Sequence, residues 1–143
     1  VTWEYRLVSE GAAGGFGDRG KPPVIWVVCL CARWCHVCED YRSVFDQVRQ
    51  TVLASRPESV FLWLDIDDDD ALVEPLEVDN LPTLLIAVDE TPRFFGPLTP
   101  HASTLERMVR QSALDGSMAD LTDPAVRAVV TKLRLNHHHL ITG

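Results

Sequence analysis

No stretch of these 143 residues stays apolar for the roughly 20 positions a helix needs to cross a bilayer; the longest run is Pro22–Ala32. Positive charge is also in short supply. Thirteen Lys and Arg stand against 21 Asp and Glu, a formal net charge of -8. The clustered cations that nucleic acid or an anionic membrane surface requires are therefore missing, and neither is expected as a partner. Cysteine is scarce and local: all four lie between Cys29 and Cys38, so they cannot form a framework of distant staples, and they carry no argument about compartment. The Gly11–Gly20 segment lacks the Lys-Ser/Thr of a phosphate loop and reads as a plain loop. The acidic run Asp65–Asp70 lacks the interior Gly and the closing Glu of an EF-hand, so it reads as a helix cap or solvated turn. The chain begins at Val1 with neither an initiator Met nor a signal peptide. Processing or trimming of the original N-terminus is expected, with the compartment open between cytoplasm and an extracytoplasmic space.

What is present suits one compact domain, since 46% hydrophobic content over this length can bury a core without disulfides. Thr2–Val8 has some strand character and precedes the glycine loop, together forming an N-terminal unit over 1–23. Val24–Cys31 is a continuous β-branched and aromatic run, the pattern of a strand buried on both faces. From Cys35 onward, Cys38, Tyr41, Phe45, Val48 and Val52 recur at three- and four-residue spacing, predicting a helix that ends before Pro57. Val60–Ile66 predicts a second buried strand, and the acidic run after it predicts a capped short helix reaching Val78. Leu84–Val88 and Arg93–Phe95 predict a hairpin, and Leu105, Met108, Val109 and Ala113 a last core helix near Gly116. This core spans 24–116. Over 117–143, Thr122-Asp123-Pro124 starts one more helix, to about Leu135, whose apolar side (Ala125, Val126, Val129, Val130, Leu133) docks on the domain.

The chemistry concentrates in C-L-C-A-R-W-C-H-V-C, Cys29 to Cys38. A C-x-x-C at a strand-to-helix junction reads as a dithiol redox site. Together with L-D-I-D after the second strand and N-L-P-T before the third, the W-C-H-V-C segment resembles thioredoxin-like proteins over Val24 to Gly116. The resemblance implies an α/β three-layer sandwich, a central mixed sheet flanked by helices, here with an extra C-terminal helix. It also implies a dithiol at the start of the long helix, a cis proline at Pro82, and Leu81 presenting its backbone to an extended substrate.

A thiolate at a helix N-terminus is favoured by unpaired backbone N–H groups and the helix dipole, so Cys35 is the expected nucleophile. Cys38, one turn later, is the expected resolving thiol. Trp34, His36, Val37, Leu81 and Pro82 are the expected substrate contacts. Protonated His36 would favour the thiolate and a more oxidising pair, whereas Glu39 and Asp40 oppose it, leaving oxidant and reductant both open. Two departures from thioredoxin stand out: Cys29 replaces the family's buried carboxylate, and Trp63 falls near the position of its lysine partner. The base for the resolving step is then unnecessary, water, or one of Glu39 and Asp40.

Cys29 and Cys31 share one strand face, either as small buried hydrophobes, as partners exchanging with the dithiol, or as soft-metal ligands. No metal site is expected, because zinc draws its ligands from flexible knuckles and not from one rigid strand. His137–His139 reads as a tail, His101 as a loop or helix-start residue, and Trp3, Trp26 and Trp63 as packing. The expected function is thiol–disulfide exchange on protein or small-thiol substrates, with a redox donor or acceptor, no organic cofactor, and a monomeric chain. The alternatives are a non-catalytic binding or redox-sensing module and a thiolate metal-binding protein.

Overall fold

The computed structural model describes residues 23–114 and 119–142, so the N-terminal strand and glycine loop lie outside the described residues. Its elements are β1 (Ile25–Cys31), α1 (His36–Ser55), β2 (Val60–Asp65), α2 (Asp70–Val73), β3 (Thr83–Val88), β4 (Thr91–Pro97), α3 (Ala102–Val109) and α4 (Pro124–Thr142). A π-helical turn, Arg110–Leu114, prolongs α3.

The sheet order is β2-β1-β3-β4, with β1 parallel to β2 and antiparallel to β3, and β3 antiparallel to β4. β1 is central, and all seven of its residues are buried, which is why it carries no polar alternation. Its two faces feed two separate cores. Ile25, Val27, Cys29 and Cys31 pack with the α1 stripe Cys38, Tyr41, Phe45, Val48 and Val52 and with Leu105 and Val109 of α3. Trp26, Val28 and Leu30 pack with Val126, Val129, Val130 and Leu133 of α4 and with Val73 of α2. The result is the expected three-layer sandwich with an added C-terminal helix.

Local chemistry explains the boundaries. Asp123 accepts the Ala125 N–H at 2.8 Å, and Pro124 takes the first helical position of α4, where its missing N–H costs nothing. The β3–β4 turn places Asp89 at φ 56°, a left-handed conformation that Asp tolerates, and its carboxylate accepts the Val24 N–H at 3.0 Å. Arg93 is the extra residue at a bulge between Ile86/Ala87 and their β4 partners, and Pro92 and Pro97 blunt this outer strand.

Two expectations require correction. The helix after β2 ends at Val73 and not at Val78, because Glu74 precedes Pro75 and is held in extended backbone, φ -58°, ψ 142°. α4 continues past Leu135 to Thr142, so the backbone of His137–His139 lies within this terminal helix. Lys132 on α4 donates to the carbonyls of Ala71 and Glu74 at 2.9 and 2.7 Å, closing the C-terminal end of α2 that the proline leaves open. Among the described residues no helix is long and apolar enough to cross a membrane.

Candidate active site

The site forms where β1 runs out. Cys31 ends the strand, Arg33 and Trp34 make a turn, and Cys35 is the N-cap of α1, its N–H bonded to the Ala32 carbonyl at 3.1 Å. The carboxylate of Asp65, at the end of the neighbouring β2, holds this turn in place. It accepts the backbone N–H of Arg33 at 3.0 Å, of Asp67 at 2.8 Å and of Asp68 at 3.0 Å. Burial opposes its ionisation, but these three N–H groups and the Arg33 guanidinium hold the carboxyl below its ordinary value of 3.8. The acidic run is thus a clamp on the cysteine loop. Arg33 pairs with Asp68, and the Trp34 indole N–H donates to Asp67 at 3.0 Å. Asp69, the residue before α2, makes no side-chain cap; it accepts the Asp65 N–H at 3.0 Å instead.

Around Cys35 the surface is open and carries two exposed apolar side chains. Trp34 is 67% and Val37 43% exposed, and the His36 ring lies in solvent with Nδ1 3.8 Å from Glu39. Cys35 is half-buried, a free thiol packed against the α1-side core. The peptide bond between Leu81 and Pro82 is cis. Thr83 opposes Leu30 in the sheet, so continuing the antiparallel register sets Pro82 across from Cys31, at the end of the sheet where α1 begins. Leu81 is half-buried and packs against the same core as Cys35, and Pro82 is buried. The five expected contact residues therefore cluster at one end of the sheet. His101, by contrast, is the exposed N-cap of α3.

The sulfurs are arranged differently from what the C-x-x-C spacing suggests. Cys38 is bonded to Cys31, with their Cα atoms 5.8 Å apart, and Cys35 is free. The separation is a common one for a disulfide, and it arises because the first turn of α1 crosses directly over the end of β1. Both bonded cysteines are essentially inaccessible, at 1% and 2%. Cys29 lies one step further down the same strand face, its sulfur 3.5 Å from that of Cys31. Burial pushes the Cys29 thiol well above its usual range, against the opposing charge of Arg42, so Cys29 stays protonated and donates its S–H toward Cys31. Beside it, Tyr41 is fully buried with its hydroxyl unpartnered among the described residues, and burial together with Cys29 raises its phenol as well.

Behind the cysteines a cleft of about 330 Å³ reaches Cys38 between Glu39, Arg42, Trp63 and Asp65. The Arg42 guanidinium stacks over the Trp63 ring at 4.6 Å, and Trp63 meets Phe45 edge-on at 5.5 Å. Trp63 and Cys29, the two departures noted in the sequence, thus face the same region beneath α1. Glu39 lines the cleft, whereas Asp40 is exposed on the outer side of the helix. Among the described residues no group of three or more His, Cys, Asp or Glu is arranged to hold a metal ion.

The anchoring role of Asp65 was not anticipated from sequence, and the Cys31–Cys38 bond only through the alternative that Cys29 or Cys31 exchanges with the dithiol. The signal for the first was an Asp closing a strand beside the one that ends at the cysteine loop. For the second it was the placement of Cys31 as the last strand residue, on the face that the helix must cover.

Comparison with known proteins agrees with this architecture. The thioredoxin family model matches residues 21–107, more than half of the chain. Among solved structures, a malaria-parasite thioredoxin-2, a component of that parasite's protein secretion machinery, superposes with a TM-score of 0.54 at 17% identity, covering 64% of this chain and 86% of its own. Human ERp44 gives 0.54 at 18% identity over 61% of this chain, which spans only 25% of ERp44. A mutant thioredoxin from Halobacterium salinarum gives 0.51 at 19% identity, covering 62% of this chain and 74% of its own. No curated protein matches the sequence. On the family match and the sheet topology together, this chain belongs to the thioredoxin family.

Proposed function

We propose that this protein is a thiol–disulfide oxidoreductase in which Cys35 attacks a disulfide of a protein or small-molecule substrate and Cys38 resolves the mixed disulfide. The observation that carries the reading is the free, half-exposed Cys35 thiol at the N-terminus of a 20-residue helix, one turn before Cys38. As the N-cap, Cys35 places the attacking sulfur at the positive end of the helix dipole. Exposed Trp34 and Val37 offer an apolar platform for an extended substrate, with the backbone at Leu81 and Pro82 as its edge. His36 lies beside the nucleophile in solvent, where it contacts substrate. No organic cofactor enters this chemistry. The partner is a disulfide-containing protein or small thiol, with a separate donor or acceptor of electrons.

The test is Cys35→Ser, assayed for reduction of insulin disulfides and for oxidation of a reduced peptide. Loss of both activities is expected; turnover at the wild-type rate ends the proposal. The reduction potential then assigns direction, since about -270 mV marks a reductant and about -120 mV an oxidant.

A second reading is favoured by one observation. With Cys38 engaged by Cys31, Cys35 has no resolving partner in this state, which suits a redox-sensing or client-binding module. Such a module forms a mixed disulfide on Cys35 that persists, whereas the enzyme's decays within a turnover.

A further inference from the structure

We infer that Cys31 is a third redox-active thiol, which takes Cys38 over from Cys35 by intramolecular disulfide exchange. The inference rests on the roles proposed above for Cys35 and Cys38 and extends them inward. Three observations converge on it. Cys38 is bonded to Cys31 while Cys35 is free. Cys38 is also the one cysteine placed between the other two, a helical turn from Cys35 and directly over the end of β1. And the Cys31–Cys38 bond is sealed from solvent, at 1% and 2% exposure, so a substrate reaches it less readily than it reaches Cys35.

The steps balance without any outside oxidant beyond the substrate disulfide. Cys35 attacks that disulfide and releases one substrate thiol. Cys38 attacks the Cys35 sulfur and releases the second, leaving a Cys35–Cys38 bond that holds the two-electron oxidation. Cys31, giving up its proton, then attacks the Cys38 sulfur. The Cys31–Cys38 bond forms, the Cys35–Cys38 bond breaks, and the Cys35 sulfur leaves as a thiolate that takes up a proton. Cys29 assists as a positioning residue. Its sulfur is 3.5 Å from that of Cys31, and its protonated thiol can donate to the anion that forms there. The oxidised protein is thereby left with its outer nucleophile regenerated and its disulfide stored inside.

The experiment follows reduced full-length protein through oxidation by oxidised glutathione, with acid quenching, alkylation, digestion and mass mapping of each cysteine. In wild type the Cys35–Cys38 bond is expected first, followed by Cys31–Cys38, which ends at least about tenfold in excess. Cys35→Ser is expected to slow formation of Cys31–Cys38 at least about tenfold, since entry to the buried pair runs through Cys35. Cys31→Val, and Cys31→Ala as a second variant in case one fails to fold, are each expected to stop at Cys35–Cys38. Oxidised wild type with Cys31 recovered mainly alkylated would overturn the exchange, as would a Cys31–Cys38 bond that forms equally fast without Cys35. If instead Cys35→Ser keeps full insulin-reducing activity, the proposed enzymatic reading itself fails, and the two failures are told apart.

Discussion

Replacing Leu133 with Ala tests whether α4 is part of the folded unit that presents the cysteines. The side chain is 1% exposed and sits against Trp26, Val28, Leu85, Ala87 and Val130, around a void of only about 10 Å³. Truncation removes three buried carbons, about 2.4 kcal/mol of transfer free energy at about 0.8 kcal/mol each. The cavity left behind adds to this, because neighbours on a sheet relax only partly, and Leu→Ala changes at buried sites span about 2.7–5.0 kcal/mol. Alanine's slightly better helix propensity returns a few tenths. We therefore expect a loss of about 3 kcal/mol. Urea unfolding of the reduced protein, followed by far-ultraviolet circular dichroism, should show the midpoint falling by about 1–2 M at an unchanged slope. Because α4 covers the sheet face opposite α1, alkylation of Cys35 in the folded variant should proceed at the wild-type rate. A loss below about 1 kcal/mol would mean that α4 is not docked, and the two-core description would be wrong.

Three further outcomes follow from the same geometry. Asp65 has its folded-state carboxyl held below 3.8, so its stabilisation is fully present above that pH and disappears as pH falls through the lower folded-state value. Asp65→Asn should flatten the acid limb of a stability-versus-pH curve below about pH 4; an unchanged limb would remove Asp65 as the clamp. Trp34→Ala should raise KM for a protein disulfide about two- to tenfold, the equivalent of an aromatic contact of about 0.5–1.5 kcal/mol. Equal losses on a small disulfide would place Trp34 outside the docking surface. Phe45, fully buried and edge-on to Phe61 and Trp63 at 5.4 and 5.5 Å, should cost about 3–5 kcal/mol on truncation to Ala, measured by chemical denaturation.

The sequence was most legible where a single physical rule governs a segment. β1 reads as an unbroken apolar run because both of its faces are covered, and the stripe Cys38, Tyr41, Phe45, Val48, Val52 is buried as helical spacing dictates. The hairpin and the start of α4 at Asp123-Pro124 follow from equally local chemistry. Legibility failed where the outcome depends on partners distant in the chain. Asp65–Asp70 carries the composition of a helix cap, yet the carboxylates of Asp65, Asp67, Asp68 and Asp69 bind Arg33, Trp34 and backbone N–H groups of the run itself, because β2 ends beside β1 and brings that loop within reach. The cis bond at Leu81–Pro82 was available only through resemblance, and that at Glu74–Pro75 was not foreseen. Cys31 stayed open between buried hydrophobe, exchange partner and metal ligand, because its place at the strand end does not by itself fix how closely the helix passes over it.

The central claim is that Cys35 is the thiol through which substrates enter. The most direct measurement is the intact mass and peptide map of reduced Cys38→Ser protein after addition of oxidised glutathione. Our account predicts one glutathione, held on Cys35 and absent from the Cys35→Ser/Cys38→Ser double variant. No adduct, or an adduct carried by Cys29 or Cys31 with Cys35 unmodified, would contradict it.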